Sequence, residues 1–127
     1  MTSATETGIP GQFGACPLAR RDPELFQKFV TNYSEIIRLA VEESALGTDR
    51  HVFSKLRTLG RRAGEGDAEA QDLIAVHLSA LASIVTINPQ AMVKACIRHS
   101  RLLLVKMIGE LAMYYRERAK GEGATAH

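Results

Sequence analysis

The stretch Leu59–Leu81, LGRRAGEGDAEAQDLIAVHLSAL, contains in order a basic helix end, a glycine-rich turn and the start of an apolar helix. Gly64 and Gly66 supply the backbone freedom that a helix end and a tight turn require. Asp67 follows as a candidate N-cap, and Glu69 places a negative charge where it meets the positive end of the helix dipole. The stretch therefore predicts two helices joined by a short turn.

The same helical periodicity continues towards the N-terminus. A first predicted helix opens at Asp22, with Pro23 at its first position, and ends at Gly47. A second helix is predicted to start with Asp49 as its cap. Apolar residues recur at spacings of three and four along both segments, so each presents one apolar face.

Towards the C-terminus, the third predicted helix stops near Pro89, because the residue before a proline disfavours the α conformation. A fourth, long helix runs from there to about Arg118. The sequence predicts an all-α, four-helix bundle-like domain over residues 22–119, dimeric through the last long helix. We expect a flexible N-terminal arm at residues 1–21 and a flexible C-terminal tail at residues 120–127.

Composition restricts the class of protein. The 127 residues suit one domain, and a net charge of +2 is far below that of a dedicated nucleic-acid binder. Cys16 and Cys96 lie in different settings, which favours a reducing cytoplasm over a disulfide framework. No secretory signal is expected, nor any segment long and apolar enough to span a membrane; Leu102–Tyr115 comes closest but contains Lys106 and Glu110.

No residue pattern predicts catalysis. Asp72 and His77 are five positions apart, about 500° of helix rotation, so they cannot share a face as a dyad. His77 is in phase with apolar neighbours, which is typical of a hydrogen-bonded core histidine. Phosphate loops, nucleophile elbows and zincin helices are absent from the sequence, so we expect no enzyme activity, no metal and no cofactor.

The second half of the fourth helix is apolar around most of its circumference, which predicts that the helix is either central in its own bundle or buried against another subunit. The predicted dimer contact comprises Leu103, Leu104, Met107, Ile108, Leu111 and Tyr115. The predicted partner-binding patch is the basic side of the second helix, formed by Arg57, Arg61 and Arg62. The alternative reading of these residues is a solvated helix face.

The central stretch resembles the N-terminal domain of RsbU-type stress-response phosphatases, which is related in fold to the C-terminal domain of the clock protein KaiA. The likeness rests on the turn at Gly66, on Asp72 followed by Leu73 and Ile74, and on His77. The first helix, LFQKFVTNYSEIIRLAVEE, is also similar. The sequence departs from the family pattern where members often carry a second histidine, here replaced by leucine, and its VKMIGELAMYYRER segment matches the last helix only loosely.

The resemblance implies a small helical bundle that homodimerises and docks a kinase-like regulatory partner. We therefore expect a stand-alone, cytoplasmic, non-catalytic signalling module that binds a kinase-like or phosphatase-like protein in a bacterial stress-response pathway of the partner-switching type. The alternative is a small-ligand or metal-binding helical bundle that uses His77, Cys96 or His99. Neither nucleic acid nor a membrane is an expected partner.

Overall fold

The computed structural model describes residues 16–126, with side chains up to residue 121, and this range contains helices and no strand. The helices are α1 (Leu18–Arg21), α2 (Pro23–Leu46), α3 (Val52–Glu65), α4 (Ala70–Ile87) and α5 (Gln90–Ala126). The predicted all-α class is confirmed, and the four expected helices are preceded by one short helix.

The helices surround a single core of mostly aliphatic side chains. α3 packs most extensively against α5, α4 packs against both α2 and α5, and α2 contacts each of the other four helices. Burying a Leu or Ile side chain stabilises the fold by about 1.5–3 kcal/mol. The largest fully buried side chains are Tyr33, Leu18, Ile37, Leu56, Leu73, Met107 and Val76.

Both ends of α2 were predicted correctly. Asp22 Oδ1 accepts a hydrogen bond from the backbone N–H of Leu25 at 3.1 Å, and Pro23 occupies the first helical position, where its missing N–H costs nothing. Gly47 ends the helix with φ of 68°, a left-handed conformation that glycine adopts without steric cost.

The predicted caps of the next two helices are wrong by two residues. α3 is preceded by His51 at φ of 56°, while Asp49 accepts the backbone N–H of His51 at 2.7 Å. α4 is capped by Glu69 in a capping box with Asp72, and Asp67 lies in the preceding turn at φ of 61°. Aspartate tolerates the left-handed region and bonds locally in turns, so it marks a turn as readily as a cap.

The part of the predicted flexible arm (residues 1–21) that the structure describes packs against the rest of the protein. The side chain of Leu18 is fully buried, and its backbone N–H donates to Asp72 Oδ1 at 3.0 Å. Arg21 Nη2 donates to the carbonyls of Gly66 and Asp67, both at 2.9 Å. Residues 1–15 of that arm lie outside the described residues.

The C-terminal boundary also differs from the expectation. α5 continues to Ala126, through most of the predicted flexible tail at residues 120–127; His127 lies outside the described residues. Glycines in this segment lower helix propensity by about 1 kcal/mol each, but no proline is present to end the helix.

Gly60 and Gly64 face α5 from one side of α3. A Cβ at Gly60 would lie 2.8 Å from Glu110 Cβ and 3.2 Å from the Met107 carbonyl oxygen, and one at Gly64 would overlap the Tyr114 ring. Gly64 was predicted as part of the turn, but it is a buried helical position. The four-residue spacing of the two glycines puts both on the side of α3 where the α5 backbone approaches closely.

The expectation that no segment could span a membrane is wrong by the criteria of length and composition. Helix α4, Ala70–Ile87, is long and apolar enough, and 33% of its residues are buried within the protein. A core helix of a water-soluble protein passes the same test, so the finding establishes only that α4 is unusually apolar.

Candidate interaction site

Apolar side chains are exposed where α3 and α5 meet. Phe53 on α3 and Leu102 on α5 line one cleft, and each exposes more than half of its surface. The Lys106 ammonium lies 5.7 Å from the centre of the Phe53 ring, a cation–π distance. We call this surface, formed by Phe53, Leu102 and Lys106, the α3–α5 face.

A buried carboxylate anchors the charges beside this face. Glu110 is 5% exposed, and its Oε2 lies 3.3 Å from Lys106 Nζ and 3.9 Å from Arg57 Nε. A buried carboxylate needs such partners because desolvation without them is costly. Glu110 therefore keeps two cations close to the exposed apolar residues.

The three arginines predicted as one partner-binding patch point in two directions. Arg57 and Arg61 face α5: Arg61 Nη2 bonds Glu117 at 2.9 Å, and its guanidinium lies 5.7 Å from the Tyr114 ring centre. The bond to Glu117 raises the pKa of Arg61 above its ordinary value. Arg62 instead lines the cleft between α2 and α3. The structure brings Arg57 and Arg61 together beside the α3–α5 face and separates Arg62 from them.

The six residues predicted to form the dimer contact are split between core and surface. Leu103, Met107 and Leu111 are at most 3% exposed, so they belong to the chain's own core and are excluded from a surface contact of the folded bundle. Leu104 and Ile108 pack against that core and are partly exposed. Tyr115 donates its hydroxyl to the Ala68 carbonyl at 2.6 Å, which ties α5 to the α3–α4 turn.

Helix α4 has an exposed surface that sequence reasoning missed. Ile74, Leu78 and Val85 are 40%, 60% and 54% exposed, and Leu81 between them is half-buried. The only Asp, Glu, Lys or Arg of α4 is Asp72, which is buried, so the outer surface of this helix carries no charge. We call the surface formed by Ile74, Leu78, Leu81 and Val85 the α4 face.

Asp72 and His77 serve separate structural roles, as their spacing predicted. The Asp72 carboxylate accepts the backbone N–H groups of Leu18 and Glu69, whereas His77 Nδ1 lies 2.8 Å from the Tyr33 hydroxyl. Burial lowers the pKa of His77, which favours the neutral ring at neutral pH. The prediction of a hydrogen-bonded core histidine is confirmed.

The three candidate ligands His77, Cys96 and His99 do not come together. Cys96 lines a cleft of about 500 Å³ between α2, the end of α4 and the start of α5, whose lining includes Val30 and Ile84. His99 lines a different, smaller cleft beside Leu102. Within the part of the chain that the structure describes, no three His, Cys, Asp or Glu side chains are grouped to hold a metal ion.

Comparison of the chain with models of known protein families, with curated proteins and with solved structures finds no match. The resemblance to RsbU-type N-terminal domains stays a prediction. The class that the fold defines is an all-α helical bundle.

One signal in the sequence could have revealed the α4 face. Its four residues follow at spacings of four, three and four, directly beside the buried set Leu73, His77, Ala80 and Ile84 with the same spacings. Two adjacent apolar lines with no charge between them are more than one core contact requires. This pattern is typical of a helix that packs against neighbours on two sides.

Proposed function

We propose that this protein is a non-catalytic helical interaction module that forms a homodimer and docks a regulatory protein. The observation that carries the proposal is the amount of apolar surface that the folded chain leaves exposed, on the α4 face and on the α3–α5 face. The largest apolar patch on a soluble monomer, typically a few hundred Å², is often a functional interaction surface.

The two surfaces suit different partners because their charges differ. The α4 face is uncharged, which fits a symmetric contact with a second copy of the chain. The α3–α5 face combines the apolar anchors Phe53 and Leu102 with Lys106, and Arg57 and Arg61 lie beside it. Aromatic and arginine side chains are enriched at protein interfaces. We assign the regulatory partner to the α3–α5 face and expect it to present an apolar anchor flanked by acidic side chains.

The identity of the partner is inferred from the resemblance described above. A relative of RsbU-type N-terminal domains would bind a kinase-like or phosphatase-like protein in a bacterial stress-response pathway of the partner-switching type, in the cytoplasm. The proposed module has no catalysis of its own, so its output depends on association alone.

Capture of binding partners from the native lysate tests this function. We expect the tagged protein to retain one kinase-like or phosphatase-like signalling protein, identified by mass spectrometry. Phe53→Asp should abolish that capture, and Leu46→Asp, at a 64% exposed leucine at the end of α2, is the matched control. Capture that survives Phe53→Asp would remove the α3–α5 face from consideration, and recovery of no signalling protein by folded wild type would contradict the docking function.

Charge reversal tests whether Arg61 and Arg62 belong to the same binding surface. Arg61→Glu should weaken partner capture, whereas Arg62→Glu should leave it unchanged because Arg62 faces the α2–α3 cleft. Neither variant should lower stability appreciably, since exposed ion pairs contribute little. Equal loss of capture in both variants would restore the single basic patch predicted from the sequence.

A second candidate function is favoured by the cleft that Cys96 lines. Its volume of about 500 Å³ is within the range of small-ligand sites, and its lining combines the apolar Val30, Ile84 and Met92 with polar side chains. Native mass spectrometry and elemental analysis of the purified protein test this alternative. A retained small molecule or metal at one equivalent per chain would support it over the docking module, and an unliganded mass would count against it.

A further inference from the structure

The apolar residues of the α4 face repeat in the pattern of a helix that pairs with another helix. Ile74, Leu78, Leu81 and Val85 follow at spacings of four, three and four, the heptad spacing that keeps one seam towards a partner. The adjacent line, which contains Leu73, already faces the core. The α4 face is thus a second seam that this chain does not fill.

The surroundings of the seam permit close approach of another helix. Ala75 and Ala82 lie beside it, and Gln71 is its nearest exposed polar neighbour with a long side chain. Small side chains let two helix axes come near the lower end of the usual 8–10 Å separation. The exposed surface of α4 has no Lys, Arg, Asp or Glu that would have to be desolvated on pairing.

We propose that the α4 face packs against the α4 face of a second copy of this chain, with the two helices antiparallel about the midpoint between Ser79 and Ala80. This inference rests on the homodimer of the proposed function and specifies its surface and register. In this register Ile74 meets Val85 of the partner subunit, and Leu78 meets Leu81 of the partner subunit. Each apolar residue finds an apolar residue, as an isologous two-fold contact requires.

Charge favours a second copy over other occupants. A charged partner would find no complementary charge on the α4 face. An interfacial membrane helix carries Lys and Arg along its polar side, and α4 has neither. The α4 face of a second copy is equally uncharged and apolar, so the two faces are complementary without any additional charged group.

The size of the surface predicts the strength of the contact. At 18 residues, α4 is about 27 Å long and presents a strip of roughly 300 Å² in projection. A standard interface buries about 800 Å² per partner, so the contact also needs the partly exposed Leu104 and Ile108 of the neighbouring helix. We therefore expect a dimer with a dissociation constant on the order of micromolar.

Cysteine cross-linking tests the register. In a Cys16→Ser background, which leaves only the buried Cys96, Ile74→Cys and Val85→Cys chains are treated with a short bismaleimide, separately and mixed. The antiparallel register separates like positions by about 16 Å along the axis, so cross-linked dimers should form only in the mixture. Cross-links in each variant alone would indicate a parallel pair, and none in any sample would place the contact elsewhere; either result overturns the proposal.

Light scattering over a concentration series gives an independent test. Leu78→Glu should raise the dimer dissociation constant about a hundredfold, because the charge is buried at the seam centre of both subunits. Val105→Glu, at a 68% exposed residue of α5, is the matched control and should leave the constant unchanged. Circular dichroism confirms that both variants are folded.

The outcomes separate this inference from the proposed function. A wild-type dimer whose mass is unaffected by Leu78→Glu would overturn the α4 contact and leave homodimerisation intact. A wild-type monomer at every concentration would contradict homodimerisation itself. Flotation of wild type with anionic or neutral vesicles, lost in Leu78→Glu, would assign the α4 face to a lipid surface and overturn the self-contact.

Discussion

The hydroxyl of Tyr33 on α2 lies 2.8 Å from Nδ1 of His77 on α4, and the two rings meet edge to face with centroids 5.7 Å apart. The same hydroxyl lies 3.3 Å from the Ser100 carbonyl of α5. One buried hydroxyl therefore links three helices inside a mostly apolar core. Satisfied groups of this kind fix the relative position of the helices, because any shift leaves a buried polar atom unpaired.

Tyr33→Phe should lower the free energy of unfolding by about 1–3 kcal/mol, since it leaves His77 Nδ1 and the Ser100 carbonyl without this partner. Urea denaturation measures the change. Tyr114→Phe, at a partly exposed tyrosine of α5, is the control and should cost less. An equal loss in both variants would contradict a specific role for the Tyr33 hydroxyl.

The stability of the protein should fall as the pH drops below about 6.5. Burial lowers the pKa of His77 below its ordinary value of 6.5, so the unfolded chain takes up a proton before the folded one. The stabilisation is complete above pH 6.5 and decreases as the pH falls towards the lower folded pKa. Thermal unfolding between pH 5 and 7.5 should show this slope in wild type.

The matched variants for the pH experiment are His77→Gln and His51→Gln. The first should flatten the slope because it removes the buried titrating group. The second replaces an exposed histidine and should keep the slope of wild type. A wild-type slope that persists in His77→Gln would assign the pH dependence to another group.

Gly60→Ala should destabilise the protein by about 1–3 kcal/mol, because the new methyl group would meet Glu110 Cβ and the Met107 backbone and push α3 away from α5. Gly109→Ala is the matched control: a Cβ there meets nothing within 4 Å. Alanine at that helical position should be neutral or stabilise by up to about 1 kcal/mol. The denaturation midpoint should therefore fall in Gly60→Ala and stay unchanged or rise in Gly109→Ala, and a Gly60→Ala midpoint that does not fall would refute the close contact.

Leu18→Ala should cost about 2–5 kcal/mol, the range for a fully buried leucine. Leu46→Ala, at an exposed leucine, should change stability by less than about 0.5 kcal/mol. Chemical denaturation of the two variants compares them directly. A Leu18→Ala variant as stable as Leu46→Ala would show that the segment before α2 is not part of the core.

Local signals made the helices predictable. The Asp22 cap with its following proline, the left-handed Gly47 and the helix stop before Pro89 all act within a few residues, so sequence spacing reveals them. Asp49 and Asp67 were predicted as helix caps but lie in the turns before the helices, because aspartate is favourable in both positions. Leu18 was missed because its contacts are distant in the chain: its backbone N–H donates to Asp72, which is 54 positions away.

Long-range pairing limited the prediction of the candidate sites. Periodicity identifies apolar lines along the last helix but does not say which of them faces the chain's own core, so Leu103 and Met107 were expected at a dimer surface. The arginines were treated as one patch because they are close in sequence, yet 100° of helix rotation separates Arg61 from Arg62. Only the positions of α2 and α5 beside α3 decide which cation faces which neighbour.

Because one of the two thiols is exposed and the other is buried, thiol labelling can follow local opening of the protein. Cys16 is exposed, whereas Cys96 is 4% exposed and burial raises its pKa, so the reactive thiolate is scarce as well as shielded. A maleimide dye should therefore label the native chain once and rapidly. The second, slower labelling is that of Cys96, and it requires the start of α5 to separate from α2. Its rate, recorded without denaturant, therefore gives the frequency of this local opening.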